Sequence, residues 1–431
     1  MYKGFVLSVL TLVYALNFLD RNLVIVLLQS IKVDLSLTDT QLGLLTGIAF
    51  GLFYSTLGFP LARWADRGNR VTITALSIGL WGLTVASCLF AKTFPQLIFA
   101  RIMAAVGEAG CMPPTYSLLG DYFPKPKERI WAMTIYWLAG PLSALVGFTV
   151  GGYLGQIYGW RIAFLLIGIP GLLAAVLTKL TVSEPRLFDK ARVRQENESA
   201  EPSLIRVALD LWCQPTSRNL NVGYILLVCM GLGLAPWYAA FMMRNHGMST
   251  SQVGIALGWI FGAAGATGML LGGYITERWF SENERTQINL IAISVVIVFP
   301  CFCLFLLVPQ KLAALLALVP LVVTFSFCAG PTFALMQRLV PASVRARSAA
   351  CMMLLANLIG MGVGPLIVGS LSDVMTPAFG NNSLRYAMLI ISSIALWSAY
   401  HFWAAGRTIK SDLLLVSEKT SEFHAISATT P

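Results

Sequence analysis

Asn17-Phe18-Leu19-Asp20-Arg21-Asn22 sets an acid and a base side by side inside a run, Phe5 to Ile31, that is otherwise almost unbroken hydrocarbon. A helix of that length crosses a bilayer core of about 30 Å, and the charged pair falls near its middle. A charge at that depth costs roughly 2.5–3.5 kcal/mol on insertion scales, so it faces a bundle interior or a watery space rather than lipid. Glu108 is a second deep acid, in the fourth apolar run, with Arg101 seven residues before it. That spacing is almost two helical turns, so both project from one face. The stretch reads as the polar centre of a membrane bundle.

Composition agrees. Mean hydropathy is +0.73, and of 431 residues 57% are hydrophobic and 12% charged; a soluble domain carries about 25% charged residues. The chain is an integral membrane protein with room for about twelve spans. Its net charge of +10 does not point to nucleic acid, because the charges lie in short loops between apolar runs, where topology signals belong. Most of the eight cysteines sit inside apolar runs, and the three histidines (His246, His401, His424) do not fall at ligand spacing with them. Small core residues are the reading, with no metal and no cofactor expected. The first run carries Asp20 and Arg21 and lacks a small-residue site after it, so no cleavable signal is expected.

Apolar runs fall at 5–31, 40–62, 71–91, 94–118, 131–155 and 161–181, then at 219–243, 250–275, 287–308, 312–336, 348–371 and 384–404. The expected fold is all-α, with twelve transmembrane helices in two pseudo-symmetric six-helix bundles. Twenty-two of the thirty Lys and Arg residues occupy or border the N-terminus, the even-numbered loops and the C-terminal tail; each odd-numbered loop holds or borders one, and Arg21 and Arg101 lie deep within spans. The positive-inside rule therefore places both termini in the cytoplasm. The expected domains are an N-terminal bundle (1–181), a cytoplasmic linker (182–218) whose Ser203–Trp212 stretch is amphipathic, a C-terminal bundle (219–406), and a polar cytoplasmic tail (407–431) expected to be disordered.

The halves are repeats. Pro114-Thr-Tyr-Ser-Leu-Leu-Gly-Asp-Tyr-Phe-Pro124 aligns without gaps to Pro331-Thr-Phe-Ala-Leu-Met-Gln-Arg-Leu-Val-Pro341, an offset of 217 that also pairs Gly147 with Gly364 and Gly152 with Gly369. Ala62-Arg-Trp-Ala-Asp66-Arg67 matches Gly273-Tyr-Ile-Thr-Glu277-Arg278 at an offset of 211. Two parallel repeats facing one another is how secondary transporters are built, with substrate bound near the midplane.

These motifs resemble the major facilitator superfamily along nearly the whole chain. Asp66-Arg67-Gly68-Asn69-Arg70 is similar to its cytoplasmic motif after the second span, with Ala62 where Gly is usual and the order of Gly68-Asn69 reversed. Arg101 with Gly107 and Gly110 resembles the fourth-helix motif, and Gly140-Pro141 with Gly147 part of the fifth-helix one. Asp20-Arg21, the stretch Asp34-Leu-Ser-Leu-Thr-Asp39-Thr-Gln-Leu-Gly-Leu-Leu45 and Gly107-Glu108-Ala109 resemble the Spinster subfamily in its bacterial form. That resemblance implies a proton-coupled carrier of lipid-like molecules such as lysophospholipids or sphingolipids in the bacterial inner membrane, a monomer, with the first-helix Asp-Arg pair and the fourth-helix acid at its centre.

Candidate sites follow. Asp20 and Glu108 are expected to carry the coupling proton, while Arg21 and Arg101 hold them or grip an anionic headgroup; a static ion network is the alternative. Asp66, Arg67, Arg70, Asp121 and Arg129, with Glu277, Arg278 and Arg338 in the second half, are expected to form a cytoplasmic gate. Trp237, Tyr238, Phe325 and Phe327 are candidates to line the cavity. Gly140, Pro141, Gly147, Gly364 and Pro365 suit hinges and close helix packing. The expected partners are a small-molecule or lipid substrate, protons and membrane lipids. An uncoupled facilitator and a sugar or drug carrier of the same fold remain alternatives. A membrane enzyme acting on lipids lacks a nucleophile–base set here.

Overall fold

Because no water reaches the bilayer interior, each span must satisfy its backbone internally, and every regular element among the described residues is helical. The computed structural model describes residues 2–185, 209, 211–280, 283–340 and 344–429, without the side chains of Phe59, Asp66, Trp279, Phe280, Ala346 and 415–429. Most of the expected linker helix, and the side chain of the gate candidate Asp66, lie outside the described residues.

The first half runs through α1 (Tyr2–Leu35), α2 (Asp39–Thr46), α3 (Ile48–Arg67), α4 (Arg70–Ser87), α5 (Phe94–Ala109), α6 (Met112–Tyr122), α7 (Pro126–Tyr158) and α8 (Trp160–Thr181). The second runs through α9 (Pro215–His246), α10 (Thr250–Trp259), α11 (Gly265–Phe280), α12 (Glu284–Leu307), α13 (Lys311–Arg338), α14 (Arg345–Ala356), α15 (Gly364–Phe379), α16 (Ser383–Ser392) and α17 (Ile394–Thr429). Among the described residues, ten helical runs are long and apolar enough to cross a bilayer; the longest, the 68-residue Arg347–Leu414, turns at Gly380 (φ +53°). The fourth expected span is broken into α5 and α6 around Gly110-Cys111, with Pro113 in the first turn of α6, where a missing N–H is tolerated. Helical backbone continues through the polar tail to Thr429, where the composition suggests disorder.

Repeat symmetry appears bond by bond. Thr115 Oγ1 donates to the Cys111 carbonyl and Thr332 Oγ1 to the Cys328 carbonyl, each at 2.7 Å and 217 residues apart. Capping boxes at Thr38/Gln41 and Ser249/Gln252 open α2 and α10, offset by 211; each satisfies two N–H groups that the helix start leaves without partners. Breaks repeat too. The second span is interrupted at Gly47, and its counterpart passes through π-helical Ile260–Ala264 between α10 and α11. Another π segment, Asn357–Val363, joins α14 to α15 at the position matching Gly140-Pro141 in α7.

The helices gather into two compact units. One takes the described residues of 1–199 with Gly233–Ala263 and Met361–Ala387; the other takes those of 200–232, Ala264–Gly360 and 388–431. The chain passes from one unit to the other within both π segments.

Candidate functional site

Asp20 and Arg21 are neighbours on α1 and so point in different directions, each toward a different turn of α5. Arg101 Nη1 donates to Asp20 Oδ2 at 2.6 Å. Arg21 Nε donates to Glu108 Oε1 at 2.8 Å, with Nη2 2.5 Å from the same oxygen. Thus the four deep charges form two crossed ion pairs between α1 and α5. Asp20 is 0% exposed, Glu108 1% and Arg101 4%, whereas the Arg21 side chain keeps 19% exposure. Asp20 Oδ1 and Glu108 Oε2 have no hydrogen-bond partner among the described residues. Each acid therefore offers one buried oxygen able to take a proton while the other holds a guanidinium.

Aromatic rings enclose this charge. The Arg21 guanidinium lies 4.9, 4.8 and 4.5 Å from the ring centroids of Phe18, Phe50 and Tyr54. Phe50 is also 4.8 Å from the Arg101 guanidinium, so both cations contact one ring. Such contacts strengthen as water is removed. One turn before Phe18, Tyr14 starts an aromatic cluster with Tyr136, Trp137 and Tyr116, in which Trp137 is 39% exposed. Sequence reasoning missed this wall. Its signal was the spacing of Tyr14, Phe18 and Arg21, which share a helix face.

The expected cavity aromatics are mostly packed. Trp237 is fully buried, its Nε1 donating to the Pro365 carbonyl at 3.3 Å; Tyr238 and Phe327 are buried. Half-buried Phe325 covers Gly231. Of the hinge candidates, Gly140 faces the Tyr14 hydroxyl and Gly147 is pressed onto Leu19 and Asn22 of α1. Pro141 lies inside α7, and Gly364 abuts Gly233.

Gate candidates pair within each half. Arg70 is wholly buried, 2.7 Å from Asp121 and 2.5 Å from Glu184, and also donates to Ser117. Arg129 donates to the carbonyls of Phe123 and Gly120 at the end of α6. Arg338 lies 3.0 Å from Glu284; Arg67, Glu277 and Arg278 are exposed.

A second polar cluster sits at the far end of α1. Asp39, 2% exposed, receives Lys32 at 2.5 Å, both terminal nitrogens of Arg244 at 2.7 and 2.8 Å, and Ser372 at 2.6 Å. Asp373 in turn accepts from the backbone N–H groups of Asp39 and Thr40 and from the Thr40 hydroxyl, at 3.0, 2.7 and 2.6 Å, capping the start of α2. Arg161 pairs with Asp34 at 2.7 Å. Lys32, Arg161 and Arg244 thus do more than mark topology.

Beside this cluster run two glycine stripes of equal spacing, Gly43-Gly47-Gly51 and Gly254-Gly258-Gly262, related by the repeat offset of 211. A Cβ at Gly43 would lie 2.5 Å from the Pro365 carbonyl oxygen, and one at Gly51 2.7 Å from the Gly362 Cα. Gly47 presses on the Gly362 carbonyl. In the other stripe, a Cβ at Gly258 would lie 2.9 Å from the Leu145 carbonyl oxygen, and one at Gly254 3.0 Å from the Gly152 Cα. Gly152 and Gly369, paired by the repeat, rest on the carbonyls of Thr250 and Asp39, themselves offset by 211. Such backbone-to-backbone contact requires the absence of side chains.

Comparison with known proteins fits this geometry. An MFS-type efflux pump from Mycolicibacterium smegmatis is 31% identical over 412 residues, covering 94% of this chain and 93% of its own. A hexuronate transporter from Bacillus subtilis is 23% identical over 409 residues, 91% of this chain and 93% of its own. The crystal structure of a bacterial homolog to the human lysosomal transporter Spinster, inward-facing and unoccupied, superposes with a TM-score of 0.84 at 28% identity, covering 95% of this chain and 98% of that one. Residues 10–365 match the sequence profile of the Major Facilitator Superfamily. The chain belongs to that superfamily, as a multi-pass membrane transporter rather than an enzyme.

Proposed function

We propose that the chain is a proton-coupled carrier of an amphipathic, lipid-like anion that works by alternating access. The observation that carries this reading is the crossed pairing of Asp20, Arg21, Arg101 and Glu108, with one oxygen on each acid left without a hydrogen-bond partner among the described residues. Protonating Glu108 removes the charge that holds Arg21, and the released guanidinium is free to take a substrate anion. Proton and anion then load together with no net charge, which suits a buried site where an unpaired ion is costly. The aromatic wall of Phe18, Tyr54, Tyr116 and Trp137 offers apolar surface to the remainder of the molecule.

The cluster of Asp39, Arg244 and Asp373 with the two glycine stripes acts in this reading as the outer seal. Both termini lie in the cytoplasm, residues 1–181 and 219–406 form the two moving halves, and 182–218 link them. The protein works as a monomer in a bacterial inner membrane. Charged residues at the cytoplasmic helix ends, among them Asp66, Arg67, Glu277 and Arg278, latch the opposite side. Similarity to a hexuronate transporter favours a second reading, in which the anion is a sugar acid.

Proteoliposome transport of lysophosphatidylglycerol and of D-glucuronate, under an imposed pH gradient, tests the proposal. The wild type concentrates one of them on an inwardly directed proton gradient. Glu108→Gln, which imitates the protonated acid, still exchanges substrate but loses the response to the gradient. Unchanged gradient-driven uptake by both Glu108→Gln and Asp20→Asn would remove the proton role.

A further inference from the structure

Arg21 Nε donates to Glu108 Oε1 at 2.8 Å, Nη2 lies 2.5 Å from the same oxygen as an ion pair without a hydrogen bond of its own among the described residues, and Nη1 donates to Met361 Sδ at 3.5 Å. A thioether is a weak acceptor, so this cationic N–H is matched with a weak acceptor. Met361 is 8% exposed and belongs to the π-helical segment Asn357–Val363, a form that concentrates at functional positions. The next residue, Gly362, is the one against which Gly47 and Gly51 of the outer seal are pressed. One peptide bond thus separates the contact at Arg21 from the contact that closes the seal.

We propose that Met361 is a positioning residue that reserves the Nη1 edge of Arg21 for the substrate's anionic oxygen, and that its displacement by that oxygen is passed through Gly362 to the glycine seal. The proposal rests on Arg21 as the anion grip. A charge-assisted bond to an anionic oxygen is about twice as strong as a neutral one, and a thioether falls below the neutral case, so an incoming anion wins the exchange. Methionine suits this role because its unbranched chain adopts several rotamers without loss of volume. Once withdrawn, its side chain moves the backbone at 362, and interlocked glycine contacts cannot absorb that movement continuously.

Equilibrium binding to the purified full-length protein at fixed pH tests the idea, with lysophosphatidylglycerol and D-glucuronate as anionic probes and monoacylglycerol as the neutral one. Met361→Leu keeps the volume and deletes the acceptor, so an anion binds about three-fold tighter; Met361→Gln supplies a stronger competing acceptor, so it binds about ten-fold weaker. Neutral probe binding is unchanged in both. Spin labels at positions 33 and 379 report the seal: the anion lengthens their separation in the wild type, and Met361→Leu lengthens it in part without any probe. Leu and Gln variants shifting anion affinity in the same direction, a neutral probe responding equally, or a label separation unaffected by Met361→Leu would each overturn the proposal. So would failure of both anions to bind the wild type. Because binding is measured without a proton gradient, loss of coupling in Glu108→Gln with opposite Leu and Gln effects, or the reverse, tells failure of this proposal apart from failure of the proton reading.

Discussion

Replacing Gly43 by alanine adds one methyl group where the structure leaves no room for it. The new Cβ would lie 2.5 Å from the Pro365 carbonyl oxygen, 2.8 Å from the Leu366 Cα and 3.0 Å from the Pro365 carbonyl carbon, all backbone atoms. Ordinary contact begins near 3.4 Å, so α15 must retreat by about 0.9 Å. Overpacking of this kind costs about 1–3 kcal/mol, and it falls on the sealed arrangement alone, because separation of α2 from α15 relieves it. The gain of about 0.5–1 kcal/mol from replacing a helical glycine applies to both arrangements and cancels. The sealed-to-open ratio should therefore fall about 5- to 150-fold. Spin labels at Val33 and Phe379, 70% and 45% exposed, report it by double electron–electron resonance as a longer-distance population absent from the wild type. Gly58→Ala is the control, since a Cβ there meets nothing within 4 Å. Identical distance distributions for Gly43→Ala and Gly58→Ala would refute the reasoning.

Arg244→Gln removes the bidentate partner of buried Asp39 and should weaken the seal by about 2–5 kcal/mol, read as faster maleimide labelling of a cysteine placed at Leu37, which is 6% exposed; unchanged labelling would show that Lys32 and Ser372 suffice. Arg70→Ala removes the guanidinium from Glu184, whose side chain is 2% exposed, while keeping the backbone N–H of residue 70 on its Oε2, and should lower unfolding stability in detergent by about 3 kcal/mol without changing the label distances of the seal. Thr38→Ala deletes one capping box and should cost about 1 kcal/mol, and Ser249→Ala, its repeat counterpart, should match it; unequal effects on thermal unfolding would argue against equivalent helix starts.

Much of the fold was legible because a bilayer is a simple solvent. It demands long apolar runs and excludes unpaired backbone, and both demands are met locally along the chain. The repeat was legible for the same reason: the 217-residue offset between Pro114–Pro124 and Pro331–Pro341 becomes matched Thr115 and Thr332 hydrogen bonds one turn back along their own helices. Asp20, Arg21, Arg101 and Glu108 stood out because charge is expensive at that depth. Their partners did not, since the crossed pairing depends on how α1 and α5 are rotated and staggered against one another.

Other features needed the assembled chain. The spacing of Gly43, Gly47 and Gly51 is plain in the sequence, but only packing shows that Gly362 and Pro365 lie against it. Asp39 looks like an ordinary first-turn acid until Arg244 and Ser372 arrive from more than two hundred residues away. Trp237 and Tyr238 suggest a lining and are buried in the assembled chain, whereas Phe50 lies 4.8 Å from each of two arginines with no local sign of it. By itself the sequence determined what must lie in the membrane and which charges must be hidden there, because those follow from transfer energies of single segments. Tertiary structure decided which hidden groups meet, because contact between helices is set by rotation, register and close approach, quantities that no single segment contains.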